Sequence, residues 1–256
     1  MDLGLKGKVA IITGGARGIG LAHARALGRE GAIIVINELD ANAAEHAVEE
    51  LARDSILAVS CLGDAADEAL VVETVAHVAQ RFGRIDILVN NAGIGVKPAY
   101  PVESMPAQAW DQMIHVHMKS TFLWSREVIP HMKAGGFGRI VNTSSMNFTG
   151  GGRPGVSHYA AAKAGILGFT QTLSKEVGPF GITANAIAPG YVETDLIAQF
   201  SDEMRHRLTS QNPVGRTCQP SEVAALVAFL CSSQAGFING EHVCIDGGRR
   251  DFYWGS

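Results

Sequence analysis

The chain has 256 residues, 46% of them hydrophobic, and a formal net charge of −4 at pH 7. That length suffices for one large α/β domain and does not demand two. The slight acidity and the lack of any Lys/Arg run argue against nucleic acid or an anionic membrane as the main partner and point to small molecules. Cys61, Cys218, Cys231 and Cys244 show no C-x-x-C spacing, so neither a zinc knuckle nor a dithiol redox pair is suggested. The first residues lack the segments of a signal peptide and no apolar run reaches membrane-spanning length, so the expected location is cytoplasmic.

Val9 to Ile12 form a short apolar run followed at once by Thr13-Gly14-Gly15-Ala16-Arg17-Gly18-Ile19-Gly20 and a helical pattern through Leu27. Strand, glycine turn and helix in that order suit a phosphate, because glycines let the backbone approach and the helix N-terminus offers unpaired N–H groups. The G-x-x-x-G-x-G spacing differs from the general dinucleotide fingerprint. The next strand, Ile33 to Ile36, ends in Asn37-Glu38-Leu39. A carboxylate there can accept both adenosine ribose hydroxyls and would repel a 2′-phosphate, favouring NAD over NADP. Arg17 dissents, since a guanidinium in the glycine loop could meet a 2′-phosphate. Leu39 adds no positive charge.

Residues 41 to 54 read as an exposed helix and Ile56 to Val59 as a third strand. Asp64 after it could accept from the adenine amino group or cap the helix expected at 66 to 82, the two roles being divisible between Asp64 and Asp67. Ile85 to Val89 enters Asn90-Asn91-Ala92-Gly93. This β-α-β alternation predicts a parallel sheet covered on both faces, with ligands beyond the strand C-termini. A long helical stretch from about Ser104 to Met132 carries His115 and His117, which diverge on a helix and make a two-histidine metal site improbable. Gly138 to Ser145 is another strand, followed by a glycine-rich loop at 150 to 155 and a helix continuing to about Val177. Ile182 to Ile187 forms a sixth strand broken by Pro189-Gly190. Residues 191 to 213 are polar and weakly periodic, as expected of a mobile lid. A helix at about 220 to 232 and a strand near 242 to 245 close the domain.

Within the helix after the glycine-rich loop, Tyr159 and Lys163 stand four positions apart and so share one face. A phenol titrates near 10, and a neighbouring positive charge favours the phenolate, which would tune Tyr159 to exchange a proton with an alcohol or carbonyl oxygen.

Together, Thr13-Gly14-x-x-x-Gly18-x-Gly20, Asp64, Asn90-Asn91-Ala92-Gly93, Ser145, Tyr159-x-x-x-Lys163, Pro189-Gly190 with Thr194, and Asp246-Gly247-Gly248 resemble the short-chain dehydrogenase/reductase family over essentially the full length. The resemblance implies a single Rossmann-type, doubly wound α/β domain over 1 to 256, with a seven-stranded parallel sheet, helices on both faces and a homotetrameric assembly. Tyr159 would be the general acid/base, Lys163 would bind the nicotinamide ribose and lower the tyrosine pKa, and Ser145 would hydrogen-bond the substrate oxygen. The cofactor would touch Gly14, Arg17, Gly18, Ile19, Gly20, Glu38, Leu39, Asp64, Ala65, Asn91, Gly93, Tyr159, Lys163, Pro189, Gly190, Val192 and Thr194. No metal is required. Asn147, Arg153, His158 and Tyr191, with Phe148, are the residues expected to line the substrate side of the pocket. Arg249 or the aromatic tail Phe252-Tyr253-Trp254 would reach a neighbouring subunit's site.

Two departures from the family pattern stand out. His117 replaces the usual asparagine of a proton relay, and either preserves that relay through its main-chain carbonyl, the favoured reading, or joins it as a titrating group. The loop between Ser145 and Tyr159 is one residue longer than in many members, which leaves Ser144 as a rival to Ser145. The expected function is NAD-dependent hydride transfer on a secondary alcohol or ketone, whether alcohol, polyol or hydroxy acid. The rivals are an NADPH-dependent 3-oxoacyl-thioester reductase and a non-catalytic dinucleotide-binding subunit.

Overall fold

The computed structural model describes residues 2–150 and 152–249. Apolar runs bounded by turns become β1 (Val9–Thr13), β2 (Ile33–Glu38), β3 (Ala58–Leu62), β4 (Ile87–Asn90), β5 (Gly138–Thr143), β6 (Ile182–Pro189) and β7 (His242–Ile245). They pair in the order β3-β2-β1-β4-β5-β6-β7, every neighbour parallel. The chain winds outward from β1 to β3 and then returns to build the other half from β4. The crevice at the carboxyl ends of β1 and β4 is therefore the topological switch point at which such sheets take ligands.

Strand alternation sorts the core into two layers. Ala10, Ile12, Ile34 and Ile36 face one side with Ala24, Leu27, Leu51, Val223 and Val227, from α1 (Gly18–Arg29), α2 (Ala41–Arg53) and α10 (Pro220–Cys231). Val9, Ile11, Val35 and Leu88 face the other with Val75, Trp124, Val128 and Leu173, from α3 (Glu68–Phe82), α5 (Ser120–Gly135) and α7 (Ser157–Val177). Trp124 is completely buried, and its indole N–H donates to the Ala65 carbonyl at 3.0 Å, so the ring is enclosed without leaving a polar atom unmet. The fold is thus a single doubly wound α/β domain. No helix among the described residues is long and apolar enough to cross a membrane.

Several boundaries differ from expectation. The third strand begins at Ala58, because Ile56 serves as a plug under α1. A methyl group at Gly28 would come 2.3 Å from Ile56 Cγ2, so helix and plug touch backbone to side chain. The fourth strand begins at Ile87, where the preceding Asp86 carboxylate is taken up by Lys8, Arg84 and the Val9 N–H. The third helix starts at Glu68, capped by Asp67 through the N–H groups of Ala69 and Leu70. Instead of one helix from Ser104 to Met132 there is a 3-10 turn at Val102–Ser104, α4 (Ala107–Ile114), a π-helical turn at His115–Lys119, and α5. The π turn lies where a side chain must be aimed at the site, a common use of that geometry. A single turn, α6 (Asn147–Gly150), follows β5, and residues 191 to 213 hold two short helices, α8 (Asp195–Ala198) and α9 (Asp202–Ser210). α7, α10 and β7 lie where the sequence puts them.

Candidate active site

The glycine turn is shaped for a close visitor. Gly14 has φ +59°, and a Cβ on Gly20 would fall 2.0 Å from the Gly14 carbonyl oxygen. No side chain caps the first N–H groups of α1, so they are open to an anion. Thr13 Oγ1 accepts from the N–H groups of Asn91 (3.0 Å) and Ala92 (2.9 Å), tying the ends of β1 and β4 together under the turn. The Asn91 amide donates to the carbonyls of Thr13 and Gly14, so its nitrogen serves the turn rather than a ribose. Thr13 was overlooked as more than a motif letter; its place one step before the glycines is the signal that marks it.

At the far end of this crevice, Glu38 Oε1 accepts from its neighbours Leu39 N–H (2.9 Å) and Asp40 N–H (3.2 Å). Arg17 forms an ion pair with Asp40. The residue expected to argue for a 2′-phosphate thus already has a carboxylate partner. Asp64 accepts from Ala66 N–H at 2.9 Å and stands 3.7 Å from His115 Nε2, while Ala65 is buried beneath Trp124.

Beyond the turn lies a cavity of about 630 Å³. Ile19, Asn91, Gly93, Pro189, Gly190, Val192 and Thr194 line its cofactor side, with Thr194 also packed on Gly18. Ser145, Asn147, Arg153, Tyr159, Lys163, Tyr191 and His117 line the rest. Ile94 to Lys97, Met146, Val156, and Ile197, Phe200 and Met204 from the α8–α9 segment complete it, none of which had been singled out from sequence. Apart from the exposed Lys97, their small or apolar side chains read as ordinary core.

Tyr159 and Lys163 meet as one helical turn dictates, with the ammonium 5.8 Å from the ring centroid. Lys163 Nζ donates to the Thr143 carbonyl at 2.7 Å, anchored to the end of β5. The Ser145 hydroxyl acts on the Tyr159 phenol and lowers its pKa. Ser144 instead donates to the Lys163 carbonyl at 2.7 Å, turning its hydroxyl into the helix backbone. The serine beside the phenol is therefore Ser145, because successive residues leaving a strand point in opposite directions.

The expected acidification of the phenol is not what this geometry gives. Burial raises the Tyr159 pKa and the Ser145 bond only partly opposes it. Burial likewise lowers Lys163 to about 7, so much of its charge is absent at neutrality. The phenol is consequently protonated, ready to donate.

His117 lies edge-on to the Tyr159 ring, centroids 5.4 Å apart. Its Nε2 is 3.3 Å from the Ile94 N–H and 3.2 Å from the Ile94 carbonyl, and its Cε1 would be 2.6 Å from a Cβ on Gly93. Burial and then the Lys163 charge push its pKa down to about 2, so it stays neutral and does not titrate in the working range. Its carbonyl accepts from Thr121 Oγ1 at 2.8 Å.

His158 is a correction. It is 2% exposed and does not line the cavity, because one residue's rotation from Tyr159 turns it away from the shared face into the protein. Phe148 packs edge-on against His242 instead of facing a substrate. Arg249 is buried in its own chain, its guanidinium 5.3 Å from the centroid of the Tyr191 ring. The tail Phe252-Tyr253-Trp254 lies outside the described residues.

A parallel sheet with a glycine cradle at its switch point, opening on a half-buried tyrosine beside a buried serine and lysine, defines a dinucleotide-binding oxidoreductase. The comparisons with known proteins carry the assignment to a family. A family model described as Enoyl-(Acyl carrier protein) reductase matches residues 14–250. The (2S)-((R)-hydroxy(phenyl)methyl)succinyl-CoA dehydrogenase subunit BbsD of Thauera aromatica is 36% identical over 98% of this chain and 99% of its own. The 3-oxoacyl-(acyl-carrier-protein) reductase FabG of Pseudomonas aeruginosa is 37% identical over 96% of this chain and 98% of its own. A solved short-chain dehydrogenase/reductase from Serratia marcescens superposes with a TM-score of 0.90 at 33% identity, covering 98% of this chain and 100% of that one. The chain belongs to the short-chain dehydrogenase/reductase family and is an oxidoreductase of the nicotinamide-using kind.

Proposed function

We propose that this chain interconverts a secondary alcohol and its ketone with NAD, using Tyr159 as the proton-transfer group. The observation that carries the reading is the single wall made by Tyr159, Ser145 and Lys163. The phenol and the serine hydroxyl line the same cavity, and the amine is pinned on the Thr143 carbonyl. The Gly14 to Gly20 cradle, too tight for any added Cβ at Gly20, fits the diphosphate of a dinucleotide, held by the open N–H groups of α1. When bound, the nicotinamide supplies or accepts the hydride.

The chain's own residues handle the proton and the oxygen. In reduction, Tyr159 gives its phenolic proton to the ketone oxygen while Ser145 donates a hydrogen bond to the same atom, stabilising the charge that develops there. In oxidation, the phenolate takes the proton back from the alcohol. Lys163 stabilises that phenolate when protonated, and its anchorage on Thr143 keeps it from swinging away. His117 holds the Ile94 backbone against Tyr159 as a neutral spacer and leaves any relay to main-chain groups. The α8–α9 segment acts as the lid, bringing Ile197, Phe200 and Met204 over the substrate to exclude water.

NAD is the preferred cofactor because Glu38 stands at the end of β2 and Asp40 occupies Arg17. A second reading, reduction of a 3-oxoacyl thioester with NADPH, draws support from the 37% identity to the Pseudomonas aeruginosa reductase. The protein works in the cytoplasm as a homotetramer joined through α4 and α5, whose outer faces carry the exposed Trp110 and Phe122.

The test is turnover of secondary alcohols, polyols, hydroxy acids and a 3-oxoacyl thioester with each cofactor, by wild type and Tyr159→Phe. Activity with NAD that falls at least about a thousandfold in Tyr159→Phe, with cofactor binding retained, supports the reading. Activity that survives the substitution sinks it. A strong NADPH preference would transfer the case to the thioester reading.

A further inference from the structure

The charges around the cavity are all of one sign. Among the described residues its lining includes Lys97, Arg153 and Lys163 but no aspartate or glutamate. Lys163 is accounted for by its bond to Thr143. Lys97 and Arg153 take no part in proton transfer, and among the described residues neither forms an ion pair with a carboxylate. Elsewhere on this surface arginines regularly find acids: Arg17 has Asp40, Arg25 has Glu50 and Asp54, Arg126 has Glu68, and Arg216 has Glu222.

The two cations also belong to one structure. Their loops are joined by a hydrogen bond from Tyr100 N–H to the Gly155 carbonyl at 2.9 Å, three residues from Lys97 and two from Arg153. The contact is close enough that a Cβ on Gly155 would lie 3.0 Å from Ala99 Cβ. Tyr191 also lines the cavity, with the buried Arg249 over its ring. Arg249 is itself positioned by donating to Gln211 Oε1 at 2.5 Å. The positive charges of Arg249 and Arg153 both act on the Tyr191 hydroxyl. The cofactor diphosphate is assigned to the Gly14 to Gly20 turn, from which only Ile19 reaches this cavity, whereas Lys97 and Arg153 come from two other loops.

We propose that Arg153 and Lys97, two exposed cations that line the cavity, form a subsite for an anionic group on the substrate, which is thereby a hydroxy acid, oxo acid or phosphorylated alcohol rather than a neutral alcohol. This specifies the substrate class of the function proposed above and rests on Tyr159 being the reacting centre. The anion binds at this pair of cations while the reacting carbon lies at Tyr159 and Ser145. A low-dielectric wall of Val96, Val156 and Phe200 strengthens the attraction by excluding water. A guanidinium in this place accepts carboxylate or phosphate in two-point fashion, which gives orientation as well as charge.

The experiment uses matched pairs differing only in charge: 3-hydroxybutanoate with its methyl ester, and glycerol 3-phosphate with glycerol, each with NAD. Wild type is expected to favour the charged member of at least one pair by ten-fold or more in kcat/KM. Which pair shows it distinguishes carboxylate from phosphate. In Arg153→Gln, and separately in Lys97→Gln, the charged-to-neutral ratio is expected to fall about ten-fold, chiefly through KM for the charged member. Equal kcat/KM for both members, or a ratio that neither substitution moves, overturns the subsite. Should no pair be turned over, the same compounds are compared by thermal shift of the NADH-bound protein. Protection by an anion that Arg153→Gln removes upholds the subsite while the catalytic reading fails, and protection equal for charged and neutral members overturns it.

Discussion

His23 lies on the inner face of α1, completely buried, and neither ring nitrogen has a hydrogen-bond partner among the described residues. Burial pushes its pKa from 6.5 down to about 3. In the unfolded chain the same ring accepts a proton at its ordinary pKa, so between about pH 6.5 and 3 the unfolded state binds more protons and stability must fall as the pH falls. Each pH unit in that window costs about 1.4 kcal/mol, so two units of acidification, to about pH 4.5, remove about 3 kcal/mol. His117, lowered to about 2, adds a parallel loss of about 3 kcal/mol over the same two units. The sum is a large part of the roughly 5–15 kcal/mol that holds a typical domain together. His23→Leu keeps the side-chain volume roughly and removes one of the two titrations. Urea unfolding of wild type and His23→Leu at intervals from pH 7.5 to 4.5 measures the slopes. Wild type should lose about 2.7 kcal/mol per pH unit below pH 6 from these two groups, and the variant about half that. The variant should be no less stable at pH 7.5, where the neutral imidazole contributes two buried unpaired nitrogens. Slopes that coincide would refute the reasoning, since His23 would then be solvated or hydrogen-bonded.

Gly20→Ala drives a methyl group into the Gly14 carbonyl, so cofactor affinity should fall at least about a hundredfold and stability by about 1–3 kcal/mol, read by nucleotide titration and by denaturation. Asp40→Asn releases Arg17, and the NADP-to-NAD ratio in kcat/KM should rise, with an unchanged ratio counting against any part for Arg17 in cofactor choice. Asp86→Ala leaves Val9 N–H, Lys8 and Arg84 without their shared buried acceptor, and should cost about 3–5 kcal/mol in chemical denaturation. Because burial raises the Tyr159 pKa, alcohol oxidation should climb with pH above neutrality while ketone reduction does not, and profiles of identical shape in the two directions would contradict the protonated resting phenol.

The sheet was readable because β1, β2 and β4 open as continuous apolar runs, the mark of burial on both faces, and the glycine turn punctuates the first of them. α7 was readable through its end near Val177, since no proline or loop signal interrupts its pattern after Tyr159. The edge strand β3 was harder. It carries Ser60 and Cys61 and is only half buried, while the stronger apolar signal at Ile56 belongs to a plug under α1. The π turn at His115–Lys119 has no periodic signature, because one wider turn shifts the register of α5 without changing its composition. At the site, Tyr159 and Lys163 followed from helical spacing, and the same geometry excludes His158 from their face. What spacing does not carry is the balance of burial against charge. The i, i+4 argument led to an acidified phenol, whereas the enclosed pocket weakens the lysine's charge and raises the phenol. Ser145 and Ser144 are alike in sequence and are separated only by which way the chain leaves β5.

The structure of the protein with NADH and a bound alcohol or ketone tests the central claim most directly, read at one atom, the Tyr159 hydroxyl oxygen. It should lie within about 2.6–3.2 Å of the substrate oxygen, with Ser145 Oγ at a similar distance and the nicotinamide ring facing the adjacent carbon. A substrate oxygen held by other groups, with the phenol beyond hydrogen-bond reach, would contradict the account.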